Sequence, residues 1–124
     1  MGAWGTDPFD NDDAADWSYE LEGAGPEVVA VGLSGDEGDA AIVAAAAVVA
    51  SACGVPVTLS PEAEQWLVDQ DEDDLRALAP AAVAALEGVL QESELRDLWD
   101  ESGDDTWLRE TTALRDGLGS VGVA

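Results

Sequence analysis

The chain reads as all-α: a compact single-domain bundle, residues 1–124, of about six or seven helices around a central Ala/Val-rich helix. Three observations predict this. Apolar residues recur at three- and four-residue spacing along most of the chain. The segment from Asp39 to Cys53 is apolar on all sides and too long for an ordinary strand. Helix-start signals recur, the clearest being Ser60-Pro61-Glu62, a hydroxyl cap, a proline at the first position and then an acid.

The elements follow in order. Trp4 and Phe9 are aromatic anchors in an irregular opening. Asp10 or Asn11 caps a helix running to about Glu22, with Asp12 and Asp13 in the first turn, where the helix dipole favours negative charge. Ala14, Trp17 and Leu21 form its apolar face, and Gly23-Ala24-Gly25 ends it. Pro26 starts a short helix, Glu27 to Leu33, and Ser34 to Gly38 is a turn. The Asp39–Cys53 helix is fully buried, its small side chains letting neighbours approach, and Gly54 and Pro56 stop it.

After Ser60, Trp66 and Leu67 give a short helix its buried side. Asp71 to Asp74 cap the next, with Leu75 and Leu78 inward. Pro80 breaks or restarts it, and Ala81 to Leu90 carries Val83, Leu86 and Leu90 on one stripe. Ser93 caps Glu94 to Glu101, whose Leu95, Leu98 and Trp99 face inward. Asp104 or Asp105 caps a last helix with Trp107, Leu114 and Leu118 inward, and Gly117 and Gly119 let its end fray.

Charge constrains function most. There are 28 acidic residues against 4 arginines, with no lysine or histidine, for a net charge of −24. An apolar fraction of 47 % is too high for a disordered acidic tail, so the acids decorate a folded body. Without histidine no Ser-His or Cys-His nucleophile pair exists, and without lysine neither Schiff-base nor Walker-type chemistry does. Gly32-Leu33-Ser34-Gly35 is one residue short of a nucleophile elbow. The expectation is therefore no enzyme and no cofactor. Direct nucleic-acid binding is disfavoured, because backbone phosphates need cations. Residues 41–53 form an apolar run too short to span a bilayer and lack flanking basic residues. The start Met1-Gly2-Ala3-Trp4 lacks the features of a signal peptide, and Cys53 alone cannot form an internal disulfide. A cytoplasmic protein with no membrane partner is the expectation.

Acid clusters supply the candidate sites. Asp10, Asp12 and Asp16 are the metal candidates, since closely spaced oxygens suit calcium or magnesium. They lack the EF-hand glycine and distal glutamate, and capping plus a solvated face explains them as well. Asp71, Asp73 and Asp74, then Asp100, Glu101 and Asp104, are the acidic partner-binding candidates; Trp4 joins them as either a core lid or an exposed anchor. Arg76, Arg96, Arg109 and Arg115 pair with neighbouring acids, Asp105 to Arg109 being in the favourable order.

Both ends of the chain carry a resemblance. Gly2-Ala3-Trp4-Gly5-Thr6 with Pro8-Phe9-Asp10-Asn11-Asp12-Asp13-Ala14-Ala15-Asp16-Trp17 resembles the opening of a bacterial domain-of-unknown-function family, number 4259. Ser93-Glu94-Leu95-Arg96-Asp97-Leu98-Trp99 with Glu101, then Trp107 and Leu114, resembles its closing segment. Asp7 stands where the family pattern has glycine. The resemblance implies a small, mainly helical, typically actinobacterial cytosolic protein, and brings no activity or site residues with it.

Three functions are open at this point. The leading one is a non-enzymatic acidic module binding a basic protein, as an immunity protein or nucleic-acid-mimicking inhibitor does. A carboxylate metal site at the first helix, serving structure or phosphate-ester hydrolysis, is the second. Acidity as mere solubility or salt adaptation is the third.

Overall fold

The computed structural model describes residues 12–36, 38–55, 57–91, 93–103 and 105–123. Among them are eight helices and no strand: α1 (Asp12–Glu20), α2 (Glu27–Leu33), α3 (Asp39–Ala52), α4 (Pro61–Val68), α5 (Glu72–Arg76), α6 (Ala79–Gln91), α7 (Glu94–Ser102) and α8 (Thr106–Val123). The expected all-α architecture is the one observed. The count is eight rather than six or seven: the stretch that Pro80 was expected to break or restart is two helices, α5 ending at Arg76 and α6 beginning at Ala79 with Pro80 in its first turn.

The centre is α3, which packs against each of the other seven helices. Ala40, Ala41, Val43–Ala50 and Ala52 are all buried. A helix that is apolar all round is stable in water only when surrounded, and alanine keeps the surrounding helices close. At α2 the approach is closer still. A Cβ on Gly32 would lie 3.0 Å from both the Ala45 Cβ and the Trp17 ring, so α2 presses on α3 only because that side chain is absent. The C-terminus of α3 closes with Gly54 at φ +85°. The Val55 amide donates to the Ala50 carbonyl and the Gly54 amide to the Ser51 carbonyl, a Schellman motif. The Ala52 carbonyl left over accepts from Arg76 Nε at 3.2 Å, a cation where the dipole favours one.

The peripheral helices start where side chains cap them. Ser60 Oγ accepts from the Ala63 amide, Asp71 from the Asp73 amide, and Ser93 Oγ from the Arg96 amide. Ala14, Trp17 and Leu21 face the core from α1 and the turn after it, as their spacing predicts. That helix ends at Glu20 rather than Glu22, because the chain tightens into a turn over Leu21–Gly23; its expected caps, Asp10 and Asn11, lie outside the described residues.

Two expectations are corrected. The deepest stripe of α6 is Ala79, Ala82, Leu86 and Val89, with Val83 and Leu90 only partly buried beside it. The helix is flanked by both α3 and α8, so Leu86 is inward as expected while Ala82 and Val89 take the places expected of Val83 and Leu90. Gly117 and Gly119 do not end α8, which continues to Val123. A Cβ on Gly117 would lie 2.8 Å from Val55 Cγ1. That glycine lets α8 pass close to the chain leaving α3. On the inward side of α8 lie Trp107, Thr111, Leu114 and Leu118, all buried. Trp99 packs partly buried on the core, while the side chains of Leu95 and Leu98 lie outside the described ones. No helix among the described residues is long and apolar enough to cross a membrane.

Candidate functional site

Among the described side chains every aspartate and glutamate is exposed except Asp39, which is half-buried. The reason is elementary: carboxylates of like sign repel and keep their hydration unless a cation meets them, and this chain has few. What distinguishes one acidic region from another is where the four arginines go.

Arg76 reaches Ala52 through Nε and lies 4.0 Å from Glu72. Arg96 donates to the Gln91 carbonyl at 3.2 Å, at the C-terminus of α6. Arg109 pairs with Asp105 at 3.3 Å, in the i, i+4 order the sequence suggests, and Arg115 pairs with Asp116 at 2.9 Å. All four therefore serve local acids or helix ends, and all four lie in the second part of the chain: no basic residue precedes Arg76.

The consequence is clearest in two clefts. One lies between α7 and α8, about 150 Å³, lined by Arg96, Trp99, Asp100, Gly103, Asp105, Trp107 and Leu108. The other lies between α1 and α4 and is larger, about 340 Å³. Glu62, Gln65, Trp66 and Asp69 line it from α4 and its C-cap, spaced to share one helix face. Ser18, Tyr19, Glu22 and Gly23 line it from the end of α1 and the turn beyond. Tyr19 is 61 % exposed. Trp66 Nε1 donates to the Ala24 carbonyl at 2.9 Å, tying α4 to the turn after α1. No arginine lines this groove.

The sequence-derived candidates divide among these features. Asp71, Asp73 and Asp74 are exposed at the start of α5, just after Asp69 of the groove, with the Asp71 carboxylate engaged as a cap. Asp100 and Glu101 are exposed on α7, and Asp100 lines the α7–α8 cleft. α5 packs on α3, whereas α7 packs on α3, α6 and α8, so the two acidic groups are not gathered into one site. Trp4, Asp10 and Asp104 lie outside the described residues, as does the side chain of Asp12; Asp16 is exposed on α1. No three Asp, Glu or Cys side chains among the described residues are gathered to hold a metal ion. Cys53 is half-buried; burial pushes its thiol up, and the Arg76 charge pulls it back.

Sequence reasoning missed Tyr19, Glu22, Glu62 and Gln65. The polar face at Glu62, Gln65 and Asp69 was available as a signal, but it identified only a solvated side of α4 until α1 was set against it.

Residues 2–110 match the family model described as Domain of unknown function (DUF4259), and the chain belongs to that family. Comparisons with curated proteins and with solved structures give no match.

Proposed function

We propose that the protein is a non-enzymatic, cytoplasmic interaction module that binds a basic protein. The observation that carries this reading is the charge of −24 on a folded helical body whose described carboxylates, the half-buried Asp39 apart, are exposed. Four arginines cannot neutralise 28 acids, and those four are engaged with local acids and helix ends. The field of such a surface raises the local concentration of cations, speeds encounter with a basic partner and repels nucleic acid. A rigid acidic surface of this kind occupies the basic face that a partner otherwise offers to nucleic acid, the logic of an immunity protein or inhibitor.

The experiment is capture on the immobilised protein from its native host's lysate at low and high salt, followed by calorimetry with the purified captured protein. The expected result is one basic protein whose Kd rises at least about tenfold from 0.05 to 0.5 M salt, as screening shortens the reach of the charges. A partner held equally at both salts, or an empty capture, contradicts the reading.

A further inference from the structure

We propose that the α1–α4 groove seats an arginine side chain of the basic partner, its guanidinium against Tyr19 and within the carboxylates of Glu22, Glu62 and Asp69. This rests on the basic-partner reading above and assigns it a place and a chemistry.

Several independent features converge on the groove. Its shape is fixed by the Trp66–Ala24 hydrogen bond, which joins segments 42 residues apart in sequence. Its walls carry three exposed carboxylates from two separate elements. The end of α1 adds the negative pole of a helix on the same side. Tyr19, at 61 % exposure, offers an aromatic surface that core packing does not use.

Charge complementarity selects the occupant. The α7–α8 cleft has tryptophan and carboxylates too, but Arg96 already lines it. A third, shallower depression is lined by Arg115 beside Glu87 and Asp116. The α1–α4 groove has the anionic and aromatic lining and lacks the cation. A planar guanidinium suits it better than an ammonium. It stacks on an aromatic ring, presents donors to more than one carboxylate, and loses less on leaving water. Gln65 supplies a neutral amide that can accept a remaining guanidinium N–H.

The test uses the full chain and fluorescein-labelled hexa-arginine and hexa-lysine, with anisotropy read at low ionic strength. One variant removes the groove charges: Glu22→Gln, Glu62→Gln and Asp69→Asn. A control removes equal charge elsewhere on the surface: Asp36→Asn, Glu87→Gln and Glu110→Gln, all exposed positions. The groove variant is expected to raise the hexa-arginine Kd about tenfold or more and the control about threefold at most. Tyr19→Ala is expected to raise the hexa-arginine Kd about threefold while leaving hexa-lysine within about twofold. Circular dichroism verifies folding, and the single variants Glu22→Gln and Asp69→Asn replace any triple variant that unfolds. Equal weakening by the groove and control variants overturns the groove and leaves the acidic-module reading standing. Failure of the unaltered protein to bind either peptide at low salt overturns both.

Discussion

The α1–α4 groove and the α7–α8 cleft are built from similar materials, a tryptophan wall with carboxylates at the rim, yet an arginine lines one and none lines the other. Arg96 lines the cleft and donates to the end of α6, and Arg109 neutralises Asp105 at its edge. The groove draws its residues from the part of the chain before Arg76, where no basic residue occurs. In a protein this acidic, the placement of a few cations decides which surface remains available to an external one. Function is then written in the distribution of arginines as much as in the abundance of acids.

The largest expected effect comes from removing the tryptophan that shapes the groove. Trp66→Ala should destabilise the fold by about 3–5 kcal/mol, measured by chemical denaturation, since a buried indole and its packing are lost. Trp66→Phe keeps much of the packing and loses the bond to Ala24, so about 1 kcal/mol is expected. If Trp66→Phe costs nothing while Trp66→Ala costs its full amount, packing and not the hydrogen bond joins α4 to α1.

Capping separates the two regions more finely. Ser60→Ala and Ser93→Ala should each cost about 1 kcal/mol in denaturant midpoints. Only Ser60→Ala, which loosens α4, should also weaken hexa-arginine binding. Equal weakening by Ser93→Ala would place the peptide elsewhere. A smaller effect comes from making the cleft resemble the groove: Arg96→Gln should tighten hexa-arginine binding by about twofold by exposing Asp100 and its neighbours to the peptide.

The smallest effect is at Cys53. Burial raises its thiol pKa and Arg76 lowers it, so Arg76→Gln should raise it further and slow alkylation by iodoacetamide at pH 8. The sign for stability follows from linkage. A folded-state thiol pKa above the unfolded one favours the protonated native form, so its contribution is present below the unfolded pKa and lost as pH rises through the folded value. A modest loss of stability in the alkaline range, absent in Cys53→Ala, is the expected outcome.

Most of the scaffold was legible in the sequence for local reasons. α3 could be read because no polar face interrupts Ala40–Val49. Ser60 and Ser93 could be read because capping joins residues only three apart. The errors arose where a distant neighbour decides. Gly117 looks like a helix breaker until Val55 is found against it. The buried stripe of α6 shifts because two helices, α3 and α8, claim its sides. The groove was invisible for the same reason: Glu22 and Glu62 are ordinary surface acids in their own segments, and tertiary packing alone brings them to one cavity. The charge imbalance itself was legible in full, while the arginine placements that give it direction needed the fold.

The central claim is that uncompensated charge has a location. The most direct measurement is a titration of the isotopically labelled protein with hexa-arginine, followed by backbone amide chemical shifts. The account predicts that the largest shifts cluster at Tyr19, Glu22, Gln65 and Asp69, with little change around Trp99 and Asp105. Shifts spread evenly over the acidic surface, or concentrated in the α7–α8 cleft, would contradict it.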